Sequence, residues 1–376
     1  MIKNTSLFAA TLLIISTFHI SSNAQDIDLS MLTLKEGLSI DIYARVNNPR
    51  QMTLGDDGTV YVGTRSKAGG RVFALLNPNN NEKAAEVVEV DKGLKSPNGV
   101  TFKDGDLYVG TISTIYRYND VATNLGKNNT PDIITDKLPT KTHHGQKFIE
   151  FGPDGLLYIP VGAPCNICEP EEEVFASLHT LDINSEDREI KHFAKGIRNT
   201  VGFDWDPNTD ELWFTDNGGD GLGDEMPAEE LNHAPKAGLN FGYPYVHQGD
   251  YLDPTFGEGK DPADFTPPAQ KLAPHAAALG MTFYTGNMFP AKYRNNIIIA
   301  EHGSWNRTDE AGHTGNRVTM VTLENNKAVK YETLVSGWLQ NNKSWGQPTD
   351  ILQLEDGSFL ISDDEANAVF RVTYTN

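Results

Sequence analysis

Cysteine is nearly absent: Cys165 and Cys168, in Pro-Cys-Asn-Ile-Cys-Glu, are the only two in 376 residues. A web of disulfides is excluded, and stability has to come from a buried core. A metal centre on this pair would need two further soft ligands. Covalent c-type haem would need His at position 169, where the chain has Glu169. What remains, in an oxidising compartment, is a short disulfide that stiffens a loop. Basic charge is also scarce, with 31 Lys and Arg against 51 Asp and Glu and a formal net charge of −20. Nucleic acid, whose phosphates demand a basic face, is excluded as a partner. Long apolar runs are missing too. The run at residues 7–20 has fourteen residues, short of the roughly 20 that a membrane-crossing helix takes. Lys3 ahead of it and Ser-Ser-Asn-Ala-Gln after it give it the form of a secretory signal, 1–24, cut after Ala24. No Cys opens the mature chain, so a lipid anchor is unsupported. Residues 25–376 are expected to be exported, periplasmic or secreted, without stable membrane insertion. No Gly-x-Gly-x-x-Gly follows a strand and opens a helix, which argues against a nicotinamide enzyme. No long amphipathic helical period separates the strands, which argues against alternating β-α units.

What the chain does have is a repeat, weak in letters and regular in pattern. A polar turn leads into an alternating apolar strand in Asp-Asp-Gly-Thr-Val-Tyr-Val-Gly (56–63), Lys-Asp-Gly-Asp-Leu-Tyr-Val-Gly (103–110) and Pro-Asp-Gly-Leu-Leu-Tyr-Ile-Pro (153–160). It recurs at 208–215, in degenerate form at 293–300, and in Glu-Asp-Gly-Ser-Phe-Leu-Ile-Ser at 355–362. The matched residues Tyr61, Tyr108, Tyr158, Trp213, Ile298 and Leu360 are 47, 50, 55, 85 and 62 residues apart. Each interval holds a four-stranded antiparallel sheet, the blade of a propeller. Gly and Asp before each strand supply the turn. The expectation is one all-β domain, a six-bladed β-propeller, with a loop insertion around 220–275, where the interval is longest.

A propeller brings the equivalent loops of its blades to one funnel. Fourteen residues before the matched strand residue stand Asn47, Leu94, His144 and Gly346, and Arg198 stands within one place of that register, fifteen before Trp213, with Lys95, Arg50 and Gln347 beside them. The shared register of His144 and Arg198 points to a site, although each alone also reads as a surface imidazole or an inter-blade ion pair. The stretch 213–225, Trp-Phe-Thr-Asp-Asn-Gly-Gly-Asp-Gly-Leu-Gly-Asp-Glu, is dense in oxygen ligands of the kind calcium prefers, without EF-hand spacing. Glu-His-Gly-Ser-Trp-Asn-Arg at 301–307 follows the fifth repeat strand. There Trp305 suits a resting ring and Arg307 an anion, or Trp305 caps the core.

These motifs resemble the glucose/sorbosone dehydrogenase family of soluble quinoproteins, and the sorbosone branch in particular. The resemblance rests on the run 143–168, Gly-Ile-Arg-Asn (196–199), the Asp-Asn-Gly loop, Leu-Asn-Phe-Gly-Tyr-Pro (239–244) and Glu-His-Gly-Ser-Trp-Asn-Arg. It implies a six-bladed propeller that oxidises a sugar with pyrroloquinoline quinone and calcium (Ca2+). On it, the His eight residues before Gly-Pro-Asp is the general base, His144. Arg198 and Asn199 contact the quinone, Arg198 also assisting the reaction. Asn217 with Gly218 and Gly219 forms the calcium loop, the glycines acting through carbonyls, and Arg307 pairs with a cofactor carboxylate. The chain departs from the family at Gln347, where relatives often carry Arg, which leaves Lys343 as a substitute cation. It departs again at Val201, where the glucose-oxidising branch tends to have Gln.

The chemistry so implied is hydride transfer from an aldose or aldehyde hydrate, with His144 as base because a neutral imidazole titrates near working pH. With no haem motif, electrons leave to a separate cytochrome, quinone or dye. Two other readings are a quinone-free propeller that binds glycans or partners, and a calcium-dependent lactonase, which would need several acidic side chains at the axis.

Overall fold

The computed structural model describes residues 27–66, 69–77, 82–127 and 129–375; the expected signal sequence lies outside the described residues. Six antiparallel sheets of four blade strands each follow one another around an axis. All six repeat copies fall on the second strand of a blade: Val60–Thr64, Asp106–Gly110, Leu157–Val161, Leu212–Asp216, Ile297–Glu301 and Phe359–Asp363. The turn chemistry is as the sequence suggests. Asp57, Asp154 and Asp356 each accept the N–H two residues on, at 2.9–3.0 Å. Gly58, Gly155 and Gly357 take the positive φ that closes the turn at low steric cost.

Stacking explains why these strands read as apolar runs. Five of the six are buried at every residue, because each blade is covered on both faces by its neighbours. The core therefore lies between blades rather than at the axis. Tyr158 and Leu178 of the third blade pack with Phe203, Leu212 and Phe214 of the fourth. Ile298 and Val318 of the fifth pack with Phe359 and Phe370 of the sixth. The ring closes by exchange of the chain ends. Leu38–Arg45, from the N-terminal side, pairs antiparallel with Ala368–Tyr374 and becomes the outer strand of the sixth blade.

The long interval lies in the fourth blade. Its third strand, Ala228–Ala234, falls inside the stretch expected to be loop; the excursion proper runs over residues 235–269, before the outer strand Gln270–Pro274. Within it, Leu239–Asn240 adds in parallel to Ile190–Lys195 of the third blade. Val246–His247 pairs with Tyr251–Leu252, a hairpin pinned by a buried His247–Asp253 bond of 2.9 Å.

Phe370 is fully buried in the strand that accepts the N-terminal segment. Phe370→Ala is expected to cost about 3–5 kcal/mol, read as a lower urea midpoint, whereas Val329→Ala, on an exposed face, should leave the midpoint within error. Equal midpoints would show that ring closure does not govern stability.

Candidate functional site

Two kinds of loop open on one face of the ring: those joining an outer strand to the next inner strand, and those following each second strand. His144 and Arg198 sit in the first kind, before the third and fourth blades, and Asn217–Gly219 in the second kind, on the fourth blade. The structure brings them together through residues 162 and 163. The backbone N–H of Ala163 donates to the Arg198 carbonyl at 2.8 Å. The Ala163 carbonyl in turn takes His144 Nδ1 at 2.9 Å. A carbonyl can only accept, so Nδ1 carries the proton and Nε2 is left with its lone pair. A Cβ on Gly162 would stand 2.5 Å from His144 Cβ, so only glycine lets these segments meet. His144 itself adopts φ +46°, a conformation rare outside glycine and of the kind found at functional sites. Burial, with Arg198 and His143 adding to it, lowers the His144 pKa to about 3.

Arg198 is held by a residue that sequence reasoning passed over. Asn166, between the two cysteines, accepts Arg198 Nε on its carbonyl and Nη2 on Oδ1, both at 2.8 Å. Nη1 donates to the Asn217 carbonyl at 3.1 Å and Nη2 to Asp220 at 3.2 Å. Four of the five guanidinium N–H groups are so engaged. The Cys165–Cys168 disulfide closes the loop that presents Asn166. Tyr243 donates to the Asn166 carbonyl at 3.2 Å and accepts from the Cys168 N–H at 3.1 Å. The signal that could have found Asn166 is its place between two cysteines three apart, as the polar one of the two residues such a loop stiffens.

The oxygen-rich loop is also backed from below by buried carboxyls. The Asp216 carboxylate accepts the backbone N–H groups of Arg198 and Asn199, at 2.8 and 2.6 Å. Glu229 accepts the N–H of Gly218 at 2.5 Å and that of Ala277 at 3.1 Å. Asp216 lies opposite Glu230 across the strand pair. Burial raises the pKa of all three carboxyls, that of Glu229 to about 8. The Asn217 side chain donates to the Asn199 carbonyl at 2.8 Å, while its Oδ1 is buried with no donor. A bare oxygen above a buried acidic cluster fits a hard cation, so Asn217 with the Gly218 and Gly219 carbonyls suits the calcium loop the resemblance implied.

The remaining candidates lie apart from this cluster. Trp305 is 77% exposed, so it does not cap the core; its neighbour Asn306 reaches Asp220 at 2.5 Å and His275 at 3.1 Å. Arg307 is buried and spends its donors within the protein, on the carbonyls of Gly312, Asp224 and Ala311 and the Glu225 carboxylate. Lys343 is exposed on a short hairpin, Leu339–Gln340 with Lys343–Ser344. Gln347 donates its backbone N–H to Asp363 at 2.8 Å.

Comparison with known proteins agrees with this architecture. Over 92% of the chain and 98% of the other, it superposes on a Trichoderma reesei carbohydrate-active enzyme of family AA12, with TM-score 0.77 and 16% identity. The holo pyranose dehydrogenase PQQ domain of Coprinopsis cinerea follows at 0.74 and 18%, covering 91% and 97%. The PQQ-bound aldose sugar dehydrogenase of Streptomyces coelicolor gives 0.63 and 15%, covering 91% and 100%. In sequence, an uncharacterized protein of Borreliella burgdorferi is 31% identical over 99% of both chains. Residues 113–368 match the family model described as glucose / sorbosone dehydrogenase. That match spans well over half of the sequence, and the chain belongs to the glucose/sorbosone dehydrogenase family.

Proposed function

We propose that this chain is an exported quinoprotein that oxidises a sugar, an aldose or a sorbosone-like aldehyde, and passes the electrons to a separate cytochrome or quinone. The observation that carries this reading is the His144–Ala163–Arg198 arrangement, a base with a bare Nε2 fixed beside a buried guanidinium. When bound, pyrroloquinoline quinone supplies the two-electron acceptor for the substrate hydride. His144 Nε2 takes the proton of the substrate hydroxyl, its ring held in the right tautomer by Ala163. Arg198, with Asn199 beside it, provides fixed positive charge where negative charge develops on the acceptor oxygen, commonly the larger catalytic contribution. Asn217 Oδ1 and the carbonyls of Gly218 and Gly219 would hold calcium, and the buried carboxyls beneath them, raised in pKa without a cation, would ionise to meet its charge. Trp305 would offer an aromatic face at the rim, and Arg307 braces the loop that carries it.

Support comes also from the sugar dehydrogenases among the structures of like fold. A hydrolase with a central cation is the second reading, and one observation favours it: burial raises the pKa of Glu150, Asp204 and Asp350, on three inner strands, and Asp204 lies near enough to Glu150 and Asp350 to raise both further. Among the described residues, however, no three such side chains converge closely enough to hold a metal ion.

The direct test is titration of apo-protein with pyrroloquinoline quinone and calcium, then dye reduction across an aldose panel. Activity appearing only with both additions supports the reading; lactone hydrolysis without quinone overturns it. His144→Ala should lower kcat about 10²- to 10⁴-fold with quinone affinity little changed, and near-normal turnover would remove His144 as the base. Because its pKa is depressed, His144 stays neutral as pH falls through 6.5 and is protonated only near 3. The rate should therefore hold from about pH 7 to 5, and half-loss near 6.5 would contradict the burial account. Asn166→Ala frees one N–H of Arg198, the backbone carbonyl keeping the other, together with the Asp220 N–H that shares Oδ1, and should lower kcat/KM about tenfold, with unchanged kinetics showing that the Asn166 side chain does not orient the guanidinium.

A further inference from the structure

Across the ring from His144 and Arg198 lies a second cluster that neither the family match nor the sequence reading assigned. In a closed ring of six, the third blade faces the sixth and the fourth faces the first. Asp364 follows the second strand of the sixth blade, and His302 follows that of the fifth. Arg65 follows that of the first blade, and Arg50 lies at the start of its inner strand, Pro49–Leu54. All four belong to the face that carries Arg198 and Asn217. Arg50 Nη1 donates to Asp364 Oδ2 at 2.9 Å, His302 Nε2 meets Oδ1 at 2.9 Å, and Arg65 Nη1 stands 3.8 Å from Oδ2.

Two guanidinium groups turn to the one carboxylate of Asp364, with His302 on its other oxygen, in a chain whose formal net charge is −20. The further carboxyl that acts on Arg50, Asp350, is itself pushed up to about 7 by burial. Arg50 and Asp364 are buried, and the two arginines repel each other enough to lower the Arg50 pKa along with its burial. Despite its own burial, Asp364 is held well below the ordinary carboxylate range by His302 and Arg50, so it stays charged and is fully spent. Arg50 is buried against Asp364, whereas Arg65 keeps half of its side chain in water, and its ion pair with Asp364, at 3.8 Å, is too long for a hydrogen bond. Arg65 is therefore placed to take a further anion. Lys343 on its exposed hairpin and the uncharged Gln347 supply no comparable cation here.

We infer that Arg65, backed by Arg50 and His302 around Asp364, forms a carboxylate-binding site that takes the acidic end of an elongated polycarboxylate lying across the funnel. Where that ligand is pyrroloquinoline quinone, the inference rests on the proposed function: the quinone oxygens would lie toward Arg198 and the far carboxylates toward Arg65. The planar fork of Arg65 suits a bidentate pair with one carboxylate, and Arg50 anchors Asp364 so that this carboxylate does not compete for Arg65.

Calorimetric titration of the apo-protein with two probes tests this: benzene-1,3,5-tricarboxylate, which is redox-inert, and pyrroloquinoline quinone with calcium. Arg65→Ala should weaken both by at least about tenfold and Arg65→Glu by more. Lys92→Glu, an equal charge change on an exposed outer strand of the same blade, should leave both unchanged, and circular dichroism should find all variants folded. Binding of both probes by Arg65→Glu within twofold of the parent would overturn the site while leaving the quinone reading intact. Arg65-dependent binding of the tricarboxylate with no binding of the quinone would uphold the site and overturn the quinone reading. No binding of either probe by the parent chain would overturn both.

Discussion

Arg50, buried at the head of the first blade, can keep its charge out of water only because Asp364 of the sixth blade meets it at 2.9 Å. That pair is one link in a belt of polar contacts around the mouth of the funnel. Arg50 also bonds Asn98 of the second blade, and Asn98 bonds the carbonyl of Lys147, whose buried ammonium turns back to Gly145, next to His144. Through Ala163 the belt reaches Arg198, then Asp220 and Asn306, and the loop of Asn306 carries His302 back to Asp364. Every blade contributes. The site is therefore not a set of side chains placed on a finished scaffold. Its residues are the contacts by which six separately packed sheets agree on their relative positions at one face.

This makes clear why the fold was so legible in the sequence and the site less so. The blade pattern is local: a turn chemistry and a fully buried strand, repeated, leave the same trace wherever they occur, and even the degenerate copy at 293–300 fell on its strand. His144 and Arg198 were legible because they share a register within that repeat. Asp364 and His302 share a different one, four residues after the matched strand residue, with Arg65 and Asn217. Asn166 has no such register, and its role comes from a loop folding over the opening, which no spacing along the chain encodes. The insertion was misjudged at its near edge for a related reason. Ala-Glu-Glu-Leu-Asn-His-Ala, the strand Ala228–Ala234, is polar because Glu229 and Glu230 serve the oxygen-rich loop, so it lacks the apolar alternation of its counterparts.

The belt also divides the chemistry of the funnel. On the side of the third and fourth blades stand an imidazole with a bare nitrogen, a braced guanidinium and an unsatisfied amide oxygen over buried carboxyls, the groups to which the proposed reaction assigns its proton and its developing negative charge. On the opposite side, paired arginines make a place for an acidic group. A ligand long enough to touch both would be oriented end to end by charge alone, without a shape-matched apolar cavity. Arg307, expected to hold an anion, instead fastens its own loop, which keeps Asn306 in the belt.

The central claim, that sugar electrons enter a quinone held beside His144 and Arg198, is tested most directly by single-turnover spectroscopy. Protein loaded with pyrroloquinoline quinone and calcium is mixed with an aldose carrying hydrogen or deuterium at the oxidised carbon. The account predicts conversion of the quinone absorbance to that of its reduced form within the turnover, slower with deuterium. A quinone spectrum left unchanged by every sugar, in protein that binds the cofactor, would contradict it.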